Sequence, residues 1–540
     1  MGFVQRAVWV GALGLPLLAL GLTADAAFGQ GAPVRVVVDA KAQGTPFPHF
    51  WEQTFGSGRA ILSLRDEYRQ DIDAVHAATG FQSVRFHGIF NDEVGVYDPA
   101  RRYLNPGQAM ESVKTDSVYN FSYVDAIYDG LLEHNVRPYV ELSFMPKGLA
   151  AAPNDLHGFW YHPNVSPPKD YADWDRMMTA FARHLVERYG IDEVSTWNFE
   201  VWNEPNLDFW DGKPKQASYW ELYDHTARAL KAVNPRIRVG GPSTAQAAWV
   251  GEFLKHCKDN DVPVDFASTH VYGNDDNVNV LHTDAKVPRD RMVPLAVAKV
   301  HAEILASPYP TIPLYFSEYN ASYANEPNVT DSTFMGPWLA STIAQCDGLV
   351  QSMSYWDFAD VFEEQGVPRT PFYGGFGLIA EDRILKPAFH AFAMLHKLGS
   401  ERIPVPEDSV IATKTADGGV AIALWNYLPP IGEGASYTPE PAVAAGPEKT
   451  FEVELKGLPK GAKLTLWRVD GTHGNAIPAY DAMGRPATPT REQITALRKA
   501  GEPLPPEHPP LREGHVTVTV PARGLVVLVA QASVQTHPSR

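Results

Sequence analysis

Between about residues 50 and 397, short apolar runs alternate with amphipathic stretches at regular spacing. The short runs are rich in aromatic and β-branched residues. They predict strands over 50–55, 83–88, 137–144, 197–205, 236–242, 265–272, 311–319 and 349–358. The stretches between them predict helices over 67–78, 122–135, 171–189, 218–233, 248–258, 294–306 and 334–346, and another follows over 386–397. Gly190 and Asn234-Pro235 supply helix stops. Eight strand–helix pairs over roughly 350 residues predict a (β/α)8 TIM barrel. A doubly wound open sheet is the alternative, and the lack of a G-x-G-x-x-G turn after the first strand weighs against it.

The helical period disappears near residue 400. Runs 410–415 and 420–425 flank Asp417-Gly418-Gly419, a hairpin signature. Further short strands are predicted over 451–455, 463–468, 516–520 and 525–530, which together read as an appended β-sandwich. The alternating segment 34–39 precedes the barrel and is a candidate to join that sandwich. Residues 429–449 read as a surface loop, and 475–514 as a proline-rich stretch around a helix-like piece, 490–500. The expected organisation is a signal peptide over 1–26, a catalytic barrel over 45–398, and a sandwich formed by 34–44 and 399–532.

The signal peptide is read from Arg6, the apolar run 7–22 and an A-x-A site at Ala24-Asp25-Ala26, which imply export to the periplasm or outside the cell. No other segment is long and apolar enough to span a bilayer, so no membrane association is expected after cleavage. A net charge of −17 argues against nucleic acid and anionic membranes as partners. It also makes a polyanionic substrate less favourable. Cys257 and Cys346 fall on separate predicted helices with one helix between them, so they are expected as free, buried thiols. A homo-oligomer is left open.

The polar residues cluster at the carboxyl ends of the predicted strands, where barrels hold their chemistry. The second strand ends in Arg85-Phe86-His87-Gly88 and the fourth in Asn203-Glu204-Pro205. The sixth ends in His270-Val271-Tyr272, the seventh in Glu318-Tyr319-Asn320, and the eighth in Trp356-Asp357 followed by Glu363-Glu364. Two glutamates on strands four and seven can face each other across the barrel mouth, as two-carboxylate glycoside hydrolysis requires. Trp356 would floor a sugar ring. Glu200 lies deeper on the strand-four segment and reads as structural, with Arg85 its natural partner. No H-E-x-x-H spacing and no G-x-S-x-G elbow occur, so neither a metal nor a serine nucleophile is expected, and no cofactor is implied.

Several stretches resemble the β-xylosidase branch of glycoside hydrolase family 39. They are 197–210 (WNFEVWNEPNLDFW), 263–272 (PVDFASTHVY), 316–323 (FSEYNASY), 354–364 (SYWDFADVFEE), 372–378 (FYGGFGL), 145–149 (MPKGL) and 483–500 (MGRPATPTREQITALRKA). The resemblance runs from about residue 45 to 530. It implies a (β/α)8 barrel with a β-sandwich and a retaining mechanism in which Glu204 is the acid/base and Glu318 the nucleophile. Asn203 would bond the sugar 2-hydroxyl; His87, His270, Tyr272 and Glu363 would bind other xylose hydroxyls; Trp356, Phe144 and Phe209 would complete the site. The α-L-iduronidases of the same family hold a substrate carboxylate with a lysine where this chain has Tyr272. A phenol cannot supply that charge, which favours a neutral pentose. The expected activity is therefore exo-acting hydrolysis of xylo-oligosaccharides. Another retaining β-glycosidase (an endo-glucanase, arabinosidase or glucosidase) and a non-catalytic sugar-binding protein are the alternatives.

Overall fold

The structure is a computed structural model that describes residues 32–97, 118–430, 441–459 and 461–531. The expected signal peptide lies outside the described residues. Eight parallel strands close into a barrel: β1 (Thr54–Ser57), β2 (Ser83–Phe86), β3 (Arg137–Glu141), β4 (Asn198–Glu200), β5 (Arg238–Thr244), β6 (Phe266–Tyr272), β7 (Leu314–Asn320) and β8 (Ser352–Tyr355). β8 pairs with β1 to complete the ring. Each strand's outward residues, such as Val84, Val140 and Phe199, are buried under the helical layer. The inward parity of the middle strands is polar instead, with Arg85, Glu141 and Glu200 fully buried. Burying such groups is tolerated only with partners, so they mark the inside of the barrel mouth as a built site.

The strand bounds differ from the sequence reading at several ends, most at the start of the first strand and the end of the fourth. The first begins at Thr54 rather than near Phe50, because Phe50 and Trp51 belong to a turn that packs beneath the barrel. The fourth stops at Glu200 rather than running to Pro205. Trp202 and Glu204 both take positive φ (71° and 43°), a conformation that costs non-glycine residues energy and recurs at functional sites. The turn is held because Trp202 is fully buried, with its indole N–H donating to the Phe209 carbonyl at 2.8 Å. The Glu204 N–H donates to the Ser243 carbonyl at 2.8 Å. Aromatic alternation alone does not distinguish this turn from a strand.

Two antiparallel-rich sheets follow. Val34–Asp39 pairs in parallel with Lys449–Lys456, which pairs antiparallel with His515–Val520. A six-stranded sheet runs in the order Lys463–Val469, Leu525–Gln531, Val420–Trp425, Val410–Lys414, Glu401–Ile403, Thr45–Pro46. Its central strand Val420–Trp425 is buried on both faces: Ala421, Ala423 and Trp425 join the barrel's core, while Val420, Ile422 and Leu424 pack toward the three-stranded sheet. The six-stranded sheet is thus a middle layer, covered by Met335–Cys346 and Pro387–Leu395 on its barrel side. Cys257 and Cys346 are free and buried. The helix Arg491–Gly501 starts in a Thr490–Gln493 capping box and buries Leu497 near Ile384.

Candidate active site

Arg85, near the end of β2, organises the site. Its Nε donates to Glu200 Oε2 and its Nη1 to Glu318 Oε1, both at 2.6 Å. Its Nη2 donates to Asn203 Oδ1 at 3.0 Å and lies 2.8 Å from Glu141 Oε2. A rigid planar fork suits this task, since one guanidinium can address several carboxylates at fixed angles. Glu200 is held further by Ser317 Oγ and Tyr139 OH, which donate at 2.5 and 3.3 Å. The Asn203 carbonyl is therefore occupied, and its amide N–H2 is what it can offer a ligand.

Glu204 and Glu318 meet above this layer, with a carboxylate oxygen of each within 4.8 Å of the other. Retaining enzymes hold their carboxyl groups about 5–5.5 Å apart, whereas inverting ones leave about 6.5–9.5 Å for a water. Burial pushes both carboxyls upward, but their neighbours differ. Burial, the Glu318 charge and Asp275 drive Glu204 well above its ordinary value. Burial also raises Glu318, but Arg85, His87 and the Tyr272 hydroxyl pull it back. Tyr272 OH donates to Glu318 Oε2 at 2.7 Å, so both oxygens of this carboxylate are gripped. Both are raised, Glu204 the further, so the proton favours Glu204 over Glu318.

The two histidines are shifted in opposite directions. His270 Nδ1 lies 3.0 Å from Glu204 Oε1, and its Nε2 lies 3.2 Å from Ser317 Oγ. Burial, Arg85 and His87 hold its pKa well below the usual imidazole value, so a neutral ring stands beside Glu204. His87 Nδ1 lies 2.7 Å from Glu141 Oε2. Burial opposes its charge, but the Glu141 carboxylate outweighs that and leaves its pKa raised. The donor sets His87–Glu141–Glu318 and Glu204–His270–Glu318 are compact enough for a cation. Arg85 already supplies a positive charge to two of these carboxylates, Glu141 and Glu318.

A cavity of about 270 Å³ opens over these groups, lined by His87, Asn203, Glu204, Phe209, Tyr272, Glu318 and Trp356 among the expected residues. Trp356 lies flat against β1, where a Cβ on Gly56 would come within 2.3 Å of its ring. His270 stands behind the lining, bonded to Glu204. Phe144 also stands behind it, fully buried and stacked on Phe209 at 6.3 Å. Glu363 is not brought to the cavity. One of its oxygens accepts from Arg59 at 2.7 Å and the other from Arg65, and these two cations spend its charge on the loop's own packing. Its neighbour Glu364 lines the cavity instead, 3.6 Å from His87 Nε2, with burial pushing its pKa to about 8. The sequence signal there was the Glu-Glu pair; which of the two faces inward depends on Arg59 and Arg65. Phe159, Leu207, Gln246, Asp275, Tyr323 and Phe376 complete the wall from loops with no periodic signal.

An acid that keeps its proton, facing a gripped carboxylate at this distance, is equipment for breaking a glycosidic bond with retention. On the carboxyl ends of β4 and β7 of a closed parallel barrel, it defines a glycoside hydrolase. Residues 34–516 match the Glycosyl hydrolases family 39 profile, and the chain belongs to that family of retaining glycosidases. It is 37% identical over 476 residues to a β-xylosidase of Geobacillus stearothermophilus, covering 86% of this chain and 89% of that one. It is 35% identical to a β-xylosidase of Caldicellulosiruptor saccharolyticus, covering 84% and 88%. The structure of a monomeric β-xylosidase from Caulobacter crescentus CB15 superposes with a TM-score of 0.81 at 35% identity, covering 93% and 100%.

Proposed function

We propose that the protein is an exported, exo-acting β-xylosidase that releases xylose from the non-reducing end of β-1,4-xylo-oligosaccharides, with Glu204 as acid/base and Glu318 as nucleophile. The observation that carries the substrate class is the charge of the cavity wall. Among the described residues lining it there is no lysine or arginine, while Glu364 and Asp275 are acidic. A uronate would find no lysine or arginine there, and the His87 imidazole is already paired with Glu141, whereas a neutral pentose needs only hydroxyl partners. The relatives named above support the same choice. A volume of about 270 Å³ is at the small end for ligand sites, typically about 300–1,000 Å³, which fits the end of a chain better than its middle.

The chemistry follows from the two carboxyls. Glu204 gives its proton to the glycosidic oxygen as the Glu318 carboxylate attacks the anomeric carbon, so the C–O bond breaks and a glycosyl-enzyme forms. Esterification removes the Glu318 charge that had raised Glu204. The Glu204 carboxylate is then the stable form and takes a proton from the attacking water. The Asn203 amide is presented for the sugar 2-hydroxyl, a contact that strengthens in the transition state. The barrel carries this chemistry and the appended sheets support it; the boundary falls later than the expected residue 45, because Thr45–Pro46 pairs with Glu401–Ile403 in the six-stranded sheet. The apolar run and A-x-A site at the N-terminus support export; no helix of the described residues is long and apolar enough to cross a membrane.

NMR of the sugar first released from xylobiose tests substrate and stereochemistry together. β-Xylose appearing before mutarotation is expected; α-xylose, or clear preference for a β-glucoside in a panel of nitrophenyl glycosides, overturns the reading.

A further inference from the structure

The cavity has two unlike walls. One comes from the loops after β2, β3 and β8: His87, Phe159, Trp356, Glu364 and Phe376. It is tightly packed, with His87 4.6 Å from the Trp356 ring and Phe376 5.5 Å from Phe362. The other comes from the loops after β4 to β7: Leu207, Ala245, Gln246, Asp275 and Tyr323. Glu204 belongs structurally to this second wall. Its N–H is bonded to Ser243 on β5, its side chain lies beside His270 on β6, and its carbonyl accepts the Leu207 N–H at 2.9 Å. A general acid protonates the departing oxygen, so the departing group lies on the acid's side of the scissile bond.

Tyr323 is the unusual residue of that wall. Trp356, Tyr272, Phe209 and Phe376 are each 8% exposed or less, whereas Tyr323 is 57% exposed. It is nevertheless held in place. Its N–H donates to Asn274 Oδ1 at 2.9 Å, and Asn274 Nδ2 donates to Ser322 Oγ at 3.1 Å, which ties the β6 and β7 loops together. Its ring meets Tyr272 edge-on at 6.3 Å and 88°. In the same wall, Gln246 takes φ 59° and its neighbour Ala247 φ 51°, both strained for non-glycine residues. Asp275 accepts the Tyr272 N–H at 2.7 Å. An anchored, exposed ring that shares one cavity wall with an amide and a carboxyl has the make-up of a sugar subsite, with an apolar face for C–H groups and polar groups for hydroxyls.

We infer that the β4–β7 wall is the binding site for the leaving-group sugar, with Tyr323 as its stacking platform and Gln246 and Asp275 as its hydroxyl partners. This deepens the β-xylosidase reading and rests on it. The ligand class is a neutral pyranose, or an alcohol with a comparable apolar face.

The test compares two substrates of the full-length enzyme. Xylobiose has a sugar leaving group, whereas β-xylosyl fluoride has none. Tyr323→Ala should lower the ratio of kcat/KM for xylobiose to that for the fluoride about tenfold, the order of one aromatic contact. Tyr323→Phe should restore most of the ratio. An unchanged ratio in Tyr323→Ala, whether both substrates slow equally or neither does, overturns the inference. A wild-type enzyme that cleaves neither xyloside contradicts the β-xylosidase reading instead; the ratio is then read with the disaccharide and fluoride of the sugar it does cleave.

Discussion

Tyr272 and Asp275 sit three positions apart and act on different carboxyls. The Tyr272 hydroxyl bonds Glu318 and stabilises its ionised form, while the Asp275 charge opposes ionisation of Glu204. On the proposed roles, turnover needs Glu318 ionised and Glu204 protonated, so kcat/KM should be bell-shaped in pH. The acid limb reports Glu318 and the alkaline limb Glu204. Tyr272→Phe removes a group that lowers the Glu318 pKa, so the acid limb should move to higher pH. Asp275→Asn removes a charge that raises Glu204, so the alkaline limb should move to lower pH. Limbs that stay put in pH–rate profiles of both variants would show that these contacts do not set the two ionisations. Glu204→Gln should slow xylobiose by roughly 10²–10⁴-fold, the usual contribution of acid–base catalysis. The loss should shrink for nitrophenolate leaving groups, which need no proton; equal loss on both substrates in steady-state kinetics contradicts the acid role.

At the scale of elements, the barrel is fastened beneath the site as well as above it. Glu52, in the turn before β1, is buried and bonds His396 Nδ1 at 2.8 Å, tying the chain entering the barrel to the end of Pro387–Leu395. The hydrogen bond that His396 donates to the Glu52 carboxylate raises the His396 pKa above 6.5. A raised folded-state value adds stability that is complete below the ordinary pKa and is lost as pH rises through the raised one. His396→Ala should therefore lower Tm more near about pH 5 than near about pH 9, values chosen to bracket imidazole titration. An equal loss at both values in thermal melts removes the ion pair from the explanation. The β4 turn belongs to this scale too. Its aromatic run was legible, but its two positive-φ residues were not, because the carbonyls of Phe209 and Ser243, which accept from the Trp202 indole and the Glu204 N–H, lie outside the segment.

Over the whole molecule, the six-stranded sheet shares its core with the barrel through Trp425, Val469, Leu525 and Val527. A barrel cut from it would expose this face, so intact protein should melt in one calorimetric transition; two separated transitions would show independent units. Leu525→Ala, in the centre of that interface, should cost about 2–5 kcal/mol in denaturant titrations. The activity of the remaining folded fraction should be unaffected, since the residue lies away from the cavity.

The sequence by itself determined the barrel and offered the two carboxyls proposed as acid/base and nucleophile. Strand–helix alternation is a local, periodic signal, and it brings a glutamate that follows a strand to the carboxyl end of the barrel. It also offered Arg85 as the partner of Glu200, because a charge inside a barrel needs one. Only the tertiary structure decided what depends on several loops meeting. It put Glu364 rather than Glu363 in the cavity, since the choice is made by Arg59 and Arg65 from another strand–helix unit. It made Arg85 serve Glu318 as well as Glu200, and it assembled Gln246, Asp275 and Tyr323 beside the acid. These arrangements follow from which groups compete for each partner in three dimensions, and no periodicity along one segment carries that information.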